Sequence, residues 1–416
     1  MTSTIAESPA PASAPEPKNE PAHSSVGSLI LNFLTQNGIL VAFVFIFTVL
    51  SVSNQAFLSP TNLTNIVLQY SYVLILAIGM LMVIVAAQID LSVGSVLGLT
   101  GAVASVLIVR YQTPWWVAVL AALAVGLVCG AWQGFWVAVV GIPGFIVSLG
   151  GMLLFRGLTY KVLSNISLTI PSDPDSQGPA YASIANGFFN GILGGDGFDV
   201  FTVIIFIIAA VGFCVMQWRT RQNQLRYNQT VLSLPLFIIK LAVIAAVIIA
   251  FGWQISHDRG LPYILIILAF LIMAYTLVTQ KTSMGRSIYA VGGNMLAAQL
   301  SGVKVKWVNF WVFVNMGFLA GVAGVVYSAR MSSAQPGAGD GFELDAIAAC
   351  FIGGASTLGG VGRVTGAMIG GLIMAVLNNG MQLMGFDEST RKIVKGLVLL
   401  LAVAFDLVNK RRAKTS

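Results

Sequence analysis

The sequence predicts an all-α, polytopic transmembrane helical bundle, and three observations predict it. Of the 416 residues, 57% are hydrophobic and only 9% are charged, against roughly 25% charge in a soluble domain. Mean hydropathy is +0.87, more apolar sequence than a water-exposed fold can bury. Apolar runs close to membrane length recur along nearly the whole chain, separated by short polar breaks. The net charge of +7 says less than where the charges lie.

The elements follow in order. Residues 1–27 are rich in Pro, Ala, Ser and Glu and are expected to form a disordered cytoplasmic tail. They lack a basic stretch followed by a short apolar core and a small-residue cleavage site, so the first span is expected to act as the targeting signal. A hydrocarbon core of ~30 Å needs about 20 apolar residues per helix. Runs of this kind, some shorter, lie near 29–51, 67–88, 93–109, 115–140, 144–163, 200–217, 231–252, 261–279, 308–328, 345–358, 364–383 and 392–408. They make about twelve spans in a membrane domain at 28–408, with 93–109 and 345–358 the weakest. With the N-terminus inside, thirteen Lys and Arg residues fall in inner segments and six in outer ones. That asymmetry places both termini in the cytoplasm. Segment 164–199 then becomes an exposed outer loop, 219–228 a basic inner tether, 281–306 an inner loop and 409–416 a basic inner tail. Trp115, Trp116 and Trp253 mark the outer interface, and Trp218 and Trp307 the inner one.

Many of the 44 glycines are spaced for helix packing. Gly94/Gly98, Gly126/Gly130/Gly134, Gly317/Gly321 and Gly362/Gly366/Gly370 form small-xxx-small ridges, which in lipid supply close backbone approach. Packing within the subunit is the plainer reading of them and a dimer seam the sharper one. Two segments read as broken or half-length helices. One runs through Asp90 and Ser92; the other runs from Ala334 through Pro336 and Asp340 to Glu343 and Asp345. Irregular backbone at membrane depth persists only where protein buries it or a watery cavity meets it. These residues are therefore candidates to line a pathway, with a simple interfacial turn as the plainer alternative.

The inner loop 281–306 carries more order than a linker needs. Asn294 suits a helix N-cap, and Gly302 suits the close of a two-turn helix. A short helix displayed on the aqueous side is something another protein can grip. Catalytic signatures are absent: no P-loop, H-E-x-x-H, C-x-x-C or serine elbow occurs. Cys129, Cys214 and Cys350 sit in or beside apolar runs without close spacing, and His23 and His257 lie far apart, which argues against a metal set. Only Arg156, Lys240 and Lys395 place basic charge inside spans. Lys240 is the candidate for an ion relay, although snorkelling or pairing explains it more simply. The profile fits a pathway driven by a separate motor protein. A carrier driven by an ion gradient, and a channel or scaffold, remain alternatives.

Three blocks in this order resemble the membrane permease subunits of bacterial ABC importers for monosaccharides, the ribose/xylose-type family. The first is Ile89–Ser95. The second is Gly285-Arg286 through Tyr289 to Asn294, then Ala297-Ala298 and Ser301-Gly302. The third is Glu343–Ala349, Ile352–Ser356, Gly359-Gly360, Gly362 and Asn378-Asn379-Gly380. The likeness covers roughly 55–163 and 261–408; the additional length at 164–260 looks like the xylose or multiple-sugar branch. The resemblance implies a homodimer in the lipid of the bacterial plasma membrane, with an extracytoplasmic sugar-binding protein outside and an ABC ATPase subunit inside. The chain itself would bind no cofactor and no nucleic acid, with ATP and Mg held by the partner ATPase. Gly285, Arg286, Tyr289, Gly292, Gly293, Asn294, Ala297, Ala298, Ser301 and Gly302 would form the coupling element for that ATPase. Asp90, Ser92, Glu343, Asp345, Asn378 and Asn379 would line the pathway.

The charge asymmetry is directly testable. A cysteine introduced at Ser176 should be labelled by an impermeant thiol reagent from outside intact cells, and one at Gln222 should not; the reverse pattern would invert the topology.

Overall fold

The computed structural model describes residues 38–229 and 231–415, so the expected tail at 1–27 and the beginning of the first apolar run lie outside the described residues. The described residues of the chain are mostly helical. Its long helices are α1 (Gly38–Ser53), α2 (Pro60–Val85), α3 (Val93–Tyr111), α4 (Trp115–Phe135), α5 (Gly144–Leu163), α7 (Val200–Arg226), α8 (Leu234–Ser256), α9 (Tyr263–Lys281), α12 (Val305–Met331), α14 (Val364–Leu383) and α15 (Glu388–Thr415). Short helices are α6 (Gly178–Asn186), α10 (Ser283–Gly293), α11 (Met295–Leu300) and α13 (Phe342–Ile352). Among the described residues nine helices are long and apolar enough to cross a membrane. Each of the twelve expected runs has a helix, but not each is a full span. The 345–358 run ends early, as the 11-residue α13, whereas the weak run at 93–109 is a complete 19-residue helix.

Local chemistry sets the ends. The Ser59 side chain caps α2, accepting from the Asn62 N–H at 3.3 Å, with Pro60 at the first helical position. α4 continues into a π-helical turn at Trp136–Val140 before Pro143 opens α5. Four two-residue strands pair antiparallel. β1 (Leu168–Thr169) joins β4 (Ser333–Ala334), and β2 (Phe188–Phe189) joins β3 (Leu261–Pro262).

Helix α12 is the hub, packed against α2, α3 and α4. Its contacts are made by glycine. A Cβ at Gly317 would collide with the Gly126 carbonyl and stand 2.7 Å from the Gly130 nitrogen. One at Gly130 would meet the Phe313 carbonyl, and one at Gly324 would stand 2.5 Å from the Leu97 carbonyl oxygen. Gly366 and Gly370 likewise seat α14 on α13, against the carbonyls of Gly353 and Ala349. The glycine ridges thus pack within one subunit. α2 is buried along nearly its full length. By contrast α7 and α8 form a hairpin that buries Thr202, Ala210, Arg221, Phe237, Gly252, Ile255 and Ser256 but few other side chains.

Segment 164–199 is more ordered than an exposed loop. α6 buries Tyr181 and Ala185, one turn apart, and the Tyr181 hydroxyl lies 2.7 Å from Ser328 Oγ on α12. Asn186 donates to the Ala329 carbonyl at 2.9 Å and accepts from Arg330 at 2.6 Å. An apolar pair at helical spacing inside a Gly/Pro-rich stretch gave this loop a packed cap.

Overpacking at a glycine seam costs typically about 1–3 kcal/mol. Gly370→Leu should therefore lower the thermal stability and yield of detergent-solubilised protein by wedging α13 off α14. Melting by tryptophan fluorescence checks it, and an unchanged midpoint would contradict this seam.

Candidate functional site

Two regions gather the polar residues that a membrane bundle should exclude. The first is the return of the chain after α12. That helix ends at Ser332 in the left-handed conformation, and β4 pairs beside Ala102 and Leu163. The chain then turns back along α3: a Cβ at Gly98 would stand 2.7 Å from the Ala338 carbonyl oxygen, and one at Gly94 would collide with that of Gly339. Gly94 lies more than four turns, ~24 Å of helix, from Arg110 in the last turn of α3. Residues 335–341 therefore fold back along α3 as far as Gly94, the second residue of that helix, and α13 starts there. Gly339 and Gly341 adopt φ +79 and +77, a region open to glycine at little cost. Arg156 of α5 clamps the segment, donating to the Ala338 carbonyl at 2.6 Å with Asp340 at 4.0 Å.

Helix α13 is anchored by charge. Asp345 is buried and pairs with Lys395 of α15 at 2.9 Å. Glu343 is half-buried, facing Gly94, and the Asp340 side chain is 75% exposed. The expected break between α2 and α3 is present, at residues 86–92. There Asp90 is buried and accepts from the Ser92 N–H (2.8 Å) and hydroxyl (2.7 Å), and Gln133 of α4 donates to Ser92 Oγ at 2.6 Å. Asp90 and Ser92 thus start a helix and join α3 to α4; they do not share a site with Glu343 and Asp345 through any hydrogen bond. Asn379 forms a reciprocal amide pair with Asn62 at 2.9 and 3.0 Å, which ties α14 to α2. Asn378 is half-buried beside it.

The second region is the polar loop 281–306, which holds two helices. Thr282 caps α10 through the Gly285 N–H (3.1 Å). Asn294 caps α11, accepting from the Ala297 N–H at 2.9 Å, and Gly302 closes it at φ +84, with the Val303 N–H bonded to the Ala298 carbonyl at 3.0 Å. Gly292 abuts the Val85 carbonyl at the end of α2, and that carbonyl also accepts from the Gly360 N–H at 2.9 Å. The Tyr289 hydroxyl donates to the Gly362 carbonyl at 2.6 Å; burial pushes its pKa up, so it stays a donor. Arg286, Gly293, Ala297 and Ser301 are exposed, and Gly285 is buried against the Val278 and Thr279 carbonyls.

Ala298 is 4% exposed, turned toward its own subunit. The outward face of α11 carries Met295, Leu296 and Leu300, the last two 68% and 82% exposed. These were not singled out in the sequence, although three large apolar residues in a capped aqueous helix were the available signal.

Residues 62–403 match the family model described as the permease component of a branched-chain amino acid transport system. The chain belongs to this permease family. It is similar to the xylose transport system permease protein XylH of Escherichia coli K12, 38% identical over 94% of this chain and 95% of that one. The corresponding protein of Haemophilus influenzae is 39% identical over 90% and 96%. The ribose import permease protein RbsC of Escherichia coli K12 is 36% identical over 91% and 95%. No solved structure matches. The chain is thus a multi-pass membrane permease of the ribose/xylose type, and its match runs through both polar regions.

Removing one partner of a buried ion pair costs about 3–5 kcal/mol, while replacing both is far milder. Lys395→Met should therefore destabilise the permease more than Lys395→Met combined with Asp345→Leu. Thermal midpoints of the two variants check the order, and equal losses would show that the pair does not anchor α13.

Proposed function

We propose that this permease is the membrane subunit of an ATP-driven pentose importer and works as a homodimer whose seam forms the path. The observation that carries the proposal is the re-entrant segment 335–341 with the half-length α13. Its turns and the exposed Asp340 lie beside the spanning helix α3 on a single subunit, which in this reading puts them at membrane depth. Irregular backbone facing lipid is not viable there, and a charge at the bilayer centre costs about 2.5–3.5 kcal/mol on insertion scales. A second copy and a water-filled path between the two would remove both costs.

The α10–α11 unit supports the driven mechanism. Met295, Leu296 and Leu300 offer an apolar helix face for the groove of a cytoplasmic ATPase, which would hold the ATP and Mg. Behind that face, Gly292 and Tyr289 touch the loop that joins α13 to α14. A push on α11 therefore reaches the half-length helix through backbone contacts. Both termini lie in the cytoplasm in this reading, and sugar arrives on the opposite side from a binding protein. The xylose and ribose permeases among the relatives supply the choice of pentoses.

Leu300→Arg should abolish xylose uptake and co-purification of the ATPase while leaving yield and thermal midpoint unchanged, since an exposed side chain alters stability by about ±0.5 kcal/mol. Full uptake by this variant would sink the coupling role.

A further inference from the structure

Three aromatic rings from separate elements meet where the re-entrant segment becomes α13. Tyr72 of α2, Tyr327 of α12 and Phe342 at the first position of α13 have ring centroids 4.9–5.5 Å apart. All three are half-buried, so each keeps part of its surface open beside the exposed Asp340. Neither tyrosine hydroxyl has a hydrogen-bond partner among the described residues. Arg330 stands on the α6 side of the rings, bonded to Asn186 at 2.6 Å and to Asn65 at 3.4 Å.

We infer that Tyr72, Tyr327 and Phe342, with Arg330 and Asn65 at the rim, form a contact site for a neutral monosaccharide in the translocation path. The inference rests on the permease reading above and adds the residues that touch the sugar. The chemistry fits a pyranose or furanose. Ring faces take up its C–H surface, as aromatic bodies with polar tips do, and the two unpaired hydroxyls and the guanidinium meet its hydroxyl groups. The site also sits at the start of the half-length helix whose outgoing loop, 353–363, is touched by Gly292 and Tyr289 of α10. A sugar held by Phe342 therefore touches the same element that the motor side moves.

The test uses the complete transporter in liposomes, with ATPase and binding protein, measuring xylose uptake at saturating sugar, ATP hydrolysis, and the xylose-to-ribose uptake ratio. Tyr72→Phe and Tyr327→Phe keep the rings and remove only the hydroxyls. Each should lower xylose transported per ATP by about three- to ten-fold, the effect of one net hydrogen bond, and shift the xylose-to-ribose ratio. Hydrolysis and thermal midpoint should not change. Unaltered sugar per ATP and an unaltered ratio in both variants would overturn the inference while leaving the permease reading intact. Failure of the wild-type transporter to accumulate any pentose would instead remove the reading beneath it. If a variant also lost stability, Phe342→Tyr, which keeps the ring and adds a hydroxyl, should still change the ratio; no change there would overturn the site.

Discussion

The bundle depends on backbones that touch. In lipid, burying apolar side chains gives helices no reason to associate, so attraction must come from close van der Waals contact and shared polar groups. Gly126, Gly130 and Gly134 bring α4 against α12, Gly324 and Gly101 bring α12 against α3, and Gly353, Gly366 and Gly370 bring α13 against α14. The geometry leaves no room for even a methyl group at most of these positions. That tightness is also what lets a non-helical stretch exist at depth. The carbonyls of Ala338 and Gly339 rest on Gly98 and Gly94, and the Arg156 guanidinium takes the other face of Ala338.

The α10–α11 unit and the half-length helix α13 meet within one short loop. Residues 353–363 leave α13, receive Gly292 and Tyr289 from α10, and return through Gly366 onto α13 itself. Because Val85 accepts from Gly360, the same loop is tied to the end of α2, whose middle carries Tyr72. Packed cores move between discrete arrangements more readily than they deform. In the proposed mechanism a displacement of the α10–α11 unit would be passed on as movement of a whole half-helix.

Most of the architecture was legible in the sequence because hydropathy reports spans directly. The two broken segments were legible too, since Asp90, Ser92, Asp340 and Glu343 interrupt apolar runs. The α11 caps followed from Asn294 and Gly302. What could not be read was orientation around a helix axis. Ala298 and Leu300 are two residues apart, and only the entry angle of α11 decides which faces the partner side. Nor could pairing between distant elements be read: nothing in the local pattern joins Asp345 to Lys395, Asn62 to Asn379, or Tyr181 to Ser328. α6 was missed for a different reason. Gly178 and Pro179 dominate its composition, while the burial of Tyr181 and Ala185 against α12 decides its conformation.

The α7–α8 hairpin stands apart from this close-packed interior. Its two helices hold mainly each other, with Phe206 against Gly252 and Trp218 beside Phe237, and its ties to the rest are few, among them Phe201 against Phe189, Phe251 against the core and Asp258 to Thr61. Such a pair is a self-contained cassette for membrane insertion. Both helices are apolar enough to leave the translocon together and to wait in the bilayer, satisfied by one another, while later segments are made. Assembly of the subunit then becomes the docking of a finished two-helix unit onto α2, so the order of synthesis and the order of packing need not coincide.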